Sequence, residues 1–486
     1  MAGVTRNLME ITPAGTLAFA AGCNIAGTAH VANVPVVRPD IWQLLLERFR
    51  CPEDGPEFLC AENGLGNQGY FLFGARAVCF GQAAIINPAA AATDKLYDVS
   101  QNVRVTDRSI QLPFDPAAVL NNLLFERYCT TWTGLKKLPW VGPIRGMYYF
   151  IRPIMGVSSR RLFQKLYFRG WDRLKFPSWP VDVTVEEIFE QLLLLAMQAQ
   201  GIERVPFIWF WPDGIPSCTI MTHDVETTKG RDFCQELMNL NDAFGIKSSF
   251  QIVPEKRYAV SSTFLENIQE RGFEINVHDL NHDGRLMCER EEFLRRAQRI
   301  NGYAKAFGAH GFRSAVMYRN VDWYDALDFS YDMSIPNVAH LDPQRGGCCT
   351  VMPFSVGRML ELPVTTTQDY TLFHVLNDYS IRLWKEQIGV IQKKHGIISF
   401  IVHPDYIGER SARQVYSDLL QYIAEMRLHG KTWIALPGEV ADWWRLRAEL
   451  RLVGAGGSWR IEGRGRERAR LAYAVVRNGK LSYELG

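Results

Sequence analysis

Between residues 203 and 445 the chain alternates short β-branched runs with longer amphipathic ones. The strand-like runs fall at 217–224, 246–254, 273–278, 311–314, 330–336, 359–364, 397–404 and 432–436. Several of the intervening stretches read as helices, and many close on a glycine, which accepts the left-handed conformation that commonly ends a helix. Repeated strand–helix alternation predicts a parallel sheet, and seven or eight such units suggest a barrel or a distorted barrel.

The flanks have a different rhythm. Residues 1–202 read as a mixed α+β N-terminal accessory domain, with β segments at 69–81 and 103–112. Asp115 before Pro116 predicts a capped helix start. A second helix is expected over 183–200, capped by Thr184 and closed by Gly201. Residues 446–486 read as a small β-rich C-terminal unit with a hairpin turn at Asn478-Gly479.

Composition narrows the class. Apolar residues make up 47% of the 486, enough for sizeable cores. Lys plus Arg number 54 against 52 Asp plus Glu, a balance that argues against a nucleic-acid partner. The 10 cysteines show no CxxC pair, which suits reduced thiols in a cytosol better than a disulfide framework. No apolar run reaches the roughly 18 residues of a membrane-spanning helix. The stretch 15–27 has some features of an export signal, but Glu10 sits where the basic flank belongs, and we read it as an ordinary buried segment.

Chemistry-bearing residues collect at the C-terminal ends of the predicted strands. Asp224 and Glu226 end the first, His278 and then His282 the third, Arg313 the fourth, Glu361 a later one, and His403 with Pro404 the seventh. In a parallel barrel those ends converge on one face, where active sites form. Asp224 and Glu226, two apart on an extended backbone, point to one side. One of them can bind a metal while the other takes a proton from water. An isolated pair of this kind is more often two solvated loop acids, and the downstream histidines shift the balance. His278 and His282 are spaced to share one ion, and two imidazoles with one carboxylate leave positions open, as a catalytic site requires. His403 is assigned as the acid that protonates a leaving amine. Arg313 is positioned to orient Asp224, with a plain surface salt bridge as its ordinary alternative.

In this order (THDVE, HDLNH, GFRS and IVHP) the motifs resemble those of the polysaccharide deacetylases, the NodB-homology group or carbohydrate esterase family four, over about residues 215–440. The resemblance implies an α/β fold built on a distorted (β/α)7–8 barrel of NodB type. It implies a divalent metal, zinc first, and hydrolysis of a sugar N-acetyl group. By it Asp224 is the general base, Glu226, His278 and His282 are the metal ligands, and His403 is the general acid. Val225 stands where many members carry a second aspartate, so the chain is similar to a DxE branch. Ala315 replaces a common proline after the arginine. The stretch 360–373 is similar to one in bacterial surface-polysaccharide deacetylases and makes Glu361, with Pro404, a candidate for the substrate pocket.

Residues 136–175 hold ten basic side chains against one acid, Asp172, with aromatics interleaved. Lys136, Lys137, Arg145, Arg160, Arg161 and Lys165 form a candidate patch for an anionic membrane surface or lipid carrier. A basic collar packed between domains or against acids elsewhere in the chain explains them slightly better. The expected partner is a saccharide or lipid-linked saccharide, handled in the cytoplasm or at the periphery of the inner membrane. The alternatives are a deformylase or non-sugar amidase on the same scaffold, and a glycan-binding member without catalysis.

Overall fold

The computed structural model describes residues 41–60, 66–84, 88–129, 168–455 and 458–486. Each of the eight predicted runs contains a strand of one curved sheet. In spatial order the strands are Met359–Glu361, Tyr331–Asp332, Gly311–Arg313, Glu274–His278, Ser249–Ile252, Cys218–Val225 and Ile397–Ile401, all parallel. Trp433–Ile434 also pairs parallel with Cys218–Val225, and Phe354–Val356 adds one antiparallel edge strand.

The sheet curls without closing by regular strand pairing. The gap is bridged by Thr365 and Thr366, whose hydroxyls donate to Ile397 O and Ser399 O, each at 2.7 Å. Thr365 Oγ1 also accepts from Ser399 N at 2.9 Å. The Thr366 backbone N–H donates to the same Ser399 O at 3.3 Å, so the expected distorted barrel is completed on one side by these two threonines, mainly through their side chains.

Helices pack on the outside, and local chemistry sets their ends. Thr227 Oγ1 accepts from Gly230 N at 3.0 Å to start the Thr228–Ala243 helix, and Ser261 Oγ accepts from Phe264 N at 3.2 Å to start Ser262–Glu270. Gly308 closes Arg290–Phe307 in the left-handed conformation, φ 63°. The Cys218–Val225 strand is buried along its whole length, as expected for a central strand covered on both faces. Each large aliphatic side chain it and its neighbours bury adds about 1.5–3 kcal/mol.

In the N-terminal part, Asp115 Oδ1 caps the Pro116–Leu124 helix through Ala117 N at 2.9 Å. The Thr184–Gln200 helix corrects one expectation: Thr184 is its first helical residue and not its cap. A carboxylate oxygen of Asp182 accepts from Thr184 N at 2.9 Å instead, while Gly201 ends the helix with φ 64°. At the C terminus, Leu471–Arg477 and Lys480–Leu485 form a hairpin about Asn478-Gly479. Its first strand pairs antiparallel with Arg204–Ile208, so the tail completes a three-stranded sheet with a segment far upstream. Ala472 and Ala474 share one apolar core with Phe207, Leu192 and Phe49.

Candidate active site

Parallel pairing in register brings the strand ends together. Asp224 lies opposite Gln251, and Arg313 opposite His278. Arg313 is fully enclosed, and three groups fix its guanidinium: Nη1 donates to Asp224 Oδ1 at 2.6 Å and to Thr222 Oγ1 at 2.8 Å, and Nε to Met333 O at 2.9 Å. Burial alone would push the Asp224 carboxyl upward. The Arg313 cation, with His278 and His403, outweighs it and holds Asp224 below the usual carboxylate range.

Glu226 sits at the centre of the histidines. Its Oε1 is 2.8 Å from His282 Nε2, 3.4 Å from His403 Nε2 and 3.7 Å from His278 Nε2. His278 Nε2 is also 3.7 Å from Asp224 Oδ2. The short His282 contact lacks hydrogen-bond geometry, so the Nε2 atoms of His278 and His282 are both buried without a hydrogen-bond partner. Buried polar nitrogens are seldom left this way. The other nitrogen of His278 is occupied: Nδ1 lies 3.1 Å from Arg313 O and donates to it, which turns the Nε2 lone pair towards the carboxylates. The His278–His282 loop brings its second imidazole back with left-handed backbone at Asp279 and His282, φ 56° and 52°.

Two groupings have donor atoms close enough to share a cation: Glu226, His278 and His282, and Asp224, Glu226 and His403. The first suits a zinc-like ion better. It offers two imidazoles with unengaged nitrogens and one carboxylate, whereas Asp224 is committed to Arg313.

Strand-end reasoning missed His403's partner, Asp369. The Asp369 Oδ1 atom accepts from His403 Nδ1 at 2.6 Å, and its Oδ2 from the His403 backbone N–H at 2.7 Å. Burial opposes the charged imidazole, but Asp369, and then Glu226, outweigh it and hold the His403 pKa well above its ordinary value. Asp369 follows no strand; its one sequence signal is an acid in an otherwise uncharged Thr-rich stretch.

Other residues take different places. His223, between Thr222 and Asp224, points out of the cluster: its Nδ1 donates to Val402 O at 3.1 Å and its Nε2 accepts from Asn241 Nδ2 at 3.0 Å. Burial pushes its pKa down to about 3, so it is a neutral packing histidine. Glu361 does not line the open pocket near the site. It is wholly enclosed and accepts from Ile335 N at 2.9 Å, and burial, with the neighbouring Asp332 carboxyl, pushes its pKa well above the usual carboxylate range. Pro404 is buried as the first residue of the short Pro404–Ile407 helix that His403 precedes. Lys136, Lys137, Arg145, Arg160, Arg161 and Lys165, like the 15–27 segment, lie outside the described residues. No helix among the described residues is long and apolar enough to cross a membrane.

No family model and no curated protein matches the chain. Solved structures similar to it include an inferred polysaccharide deacetylase from Mycobacterium smegmatis, 17% identical, covering 49% of this chain and 93% of that one, TM-score 0.39. The PuuE allantoinase is 13% identical and covers 48% and 92%, TM-score 0.37. An inferred polysaccharide deacetylase involved in O-antigen biosynthesis in Bordetella bronchiseptica is 18% identical and covers 48% and 84%, TM-score 0.30. At such identities the side chains of the site, and not the likeness, decide what chemistry is possible.

Proposed function

We propose that this chain is a metal-dependent amide hydrolase that removes an N-acyl group, acetyl in the simplest case, from an amino sugar of a bacterial cell-surface polysaccharide or its lipid-linked precursor. The observation that carries this reading is the pair of buried, unengaged Nε2 atoms of His278 and His282 facing Glu226, flanked by an ionised Asp224 and a charged His403. A divalent ion held by Glu226, His278 and His282, zinc by its donor set, would supply Lewis acidity to the amide carbonyl and to water.

The chain's own residues divide the proton work. Arg313 occupies Asp224 Oδ1 and leaves Oδ2 to take a proton from the attacking water. As the C–N bond breaks, His403 Nε2 delivers a proton to the departing nitrogen, and Asp369 holds the opposite face of the ring. The amine leaves neutral and the acyl group leaves as the carboxylic acid. The protein works in the cytoplasm or against the inner membrane in this reading, with the basic 136–175 segment meeting the anionic carrier.

The test is calorimetric titration of metal-stripped protein with zinc, for wild type and His278→Ala, followed by assays of N-acylated amino sugars. One tight site in the wild type, lost in the variant, together with sugar amide hydrolysis, is the expected result. Zinc binding with turnover of formamides or non-sugar amides alone would favour the amidase alternative. No zinc binding would sink the hydrolase and leave glycan binding ahead.

A further inference from the structure

The turn at residues 253–258 follows the Ser249–Ile252 strand and is bonded to both stretches that carry the Glu226–His278–His282 cluster. Glu255 N donates to Leu280 O at 3.0 Å, inside the His278–His282 loop. Towards the other stretch, Arg257 Nε donates to Glu226 O at 2.8 Å. Tyr258 Oη donates to Val225 O at 2.7 Å and accepts from Val253 N at 3.0 Å. Arg257 N closes the turn on Glu255 O at 2.8 Å, and Lys256 between them takes left-handed backbone, φ 65°. A lysine in that conformation is uncommon and persists where the surroundings fix the chain.

The cations on this rim are exposed and have no acid of their own. Glu255 is taken by Arg299 at 2.5 Å and Asp232 by Arg231 at 2.6 Å, while Asp405, two residues after His403, keeps its Oδ1 buried. Among the described residues, no carboxylate lies within ion-pair distance of Lys256, Arg257 or Lys229. Lys229, three residues after Glu226, reaches the end of the Pro404–Ile407 helix that His403 precedes: a Cβ placed on Gly408 would lie 3.7 Å from its Nζ.

A surface arginine ordinarily gives up side-chain freedom when it grips an anion. Here the bond to Glu226 O already fixes the guanidinium, and its Nη1 and Nη2 edge is left for the two oxygens of a carboxylate or phosphate. We propose that this rim reads an anionic group on the sugar that carries the scissile amide, a ring carboxylate or a phosphate. Arg257 makes the two-pronged contact, and Lys229 and Lys256 add to the field that draws the anion in. The inference rests on the hydrolase reading and names the substrate class of that same site.

Zinc-loaded full-length protein should be assayed on N-acetylglucosamine, its 1-phosphate, its 6-phosphate and 2-acetamido-2-deoxyglucuronate. At least one anionic sugar should exceed the neutral one by about 10-fold or more in kcat/KM, the scale of a charge-assisted hydrogen bond, mostly through KM. The preferred anion names its source: the uronate a ring carboxylate, either phosphate a phosphorylated or pyrophosphate-linked sugar. Arg257→Gln should bring the ratio towards one, Arg257→Lys should restore part of it, and raising salt from about 0.05 to 0.5 M should erode it. Zinc calorimetry separates a merely structural arginine. If Arg257→Gln lowers zinc affinity and slows neutral and anionic sugars alike, Arg257 only braces Glu226 and the proposal falls. Equal kcat/KM for all four sugars in the wild type would overturn it too and leave the hydrolase standing. Zinc bound with no sugar amide hydrolysed would remove the hydrolase reading, and calorimetric binding of the same sugars then decides the rim by itself. Anionic sugars bound more tightly than the neutral one, with the difference lost in Arg257→Gln, would keep the anion site; no difference would remove it.

Discussion

His403 Nδ1 and Asp369 Oδ1 are 2.6 Å apart in a buried pocket, and the same carboxylate accepts the His403 backbone N–H through its other oxygen. Asp369 thus sets both the ring's tautomer and its charge. Removing that charge with Asp369→Asn lowers the His403 pKa. An acid must be protonated to act, so the alkaline limb of the pH–rate profile should move to lower pH. We expect kcat to fall on the order of 100-fold with KM little changed. An unmoved alkaline limb would show that His403 is not the group that titrates there.

Asp224 and Glu226 are separable by metal affinity. Arg313 donates to Asp224, whereas Glu226 faces three imidazoles. Asp224→Asn should keep zinc affinity within a few-fold and lose about 10²–10⁴ in rate. Glu226→Gln should lose zinc affinity as well. Calorimetry and turnover measured on the same preparations decide the matter, and the opposite pattern would exchange the two roles.

Much of this architecture is legible from the chain alone, for physical reasons. β-branched runs bounded by polar residues mark the buried strands, and a parallel sheet forces their C-terminal ends to one face. That is why Asp224, His278, Arg313 and His403 can be grouped before any coordinates are seen. Glu361 shows where this logic stops. It is a strand-end acid like Asp224, but its side chain turns inward to Asp332, and no local pattern tells the two apart. Asp369 begins a short helical segment that continues as Thr371–Val375, too brief to leave a period that would place it. The closure by Thr365 and Thr366 relies mainly on side chain-to-backbone bonds that leave no hydropathy signature. The pairing of Leu471–Arg477 with Arg204–Ile208 joins segments too distant for local propensity to link.

The Asp332–Glu361 pair makes stability depend on pH in a definite direction. Burial, and then the neighbouring Asp332, raise Glu361 well above its ordinary value, and burial raises Asp332 too. The folded pair therefore keeps a proton that the unfolded chain releases near the ordinary Glu pKa of about 4.3. A carboxyl raised in the folded state stabilises it below the unfolded pKa, and that contribution is lost as pH climbs through the folded value. Glu361→Gln keeps the shape without the proton. Wild-type unfolding free energy should decline from about pH 4.5 upward more steeply than that of the variant. Parallel urea curves across that range would show that the pair does not control the slope.

Arg447, on the helix that follows the barrel strands, ties the Ile41–Phe49 helix to the end of the Arg204–Ile208 strand. It is buried, with its Nε donating to Trp209 O at 2.9 Å and its Nη2 to Ile208 O, Arg48 O and Phe49 O at 2.7, 3.1 and 3.2 Å. Those carbonyls belong to the Ile41–Phe49 helix and to the end of the Arg204–Ile208 strand, while Arg447 itself lies on the last helix, Pro437–Glu449. Among the described residues no carboxylate pairs with it, and burial lowers its pKa well below the arginine range. The four carbonyls are therefore its compensation for desolvation, and it is theirs. Arg447→Met keeps the length and removes every donor, leaving buried acceptors that cost about 1–3 kcal/mol each where water cannot reach. We expect a loss on the order of 3 kcal/mol, read as a lower urea midpoint at constant m. A variant within about 0.5 kcal/mol of wild type, the range of ordinary surface substitutions, would mean that water replaces the guanidinium and that the apolar core alone holds these segments together.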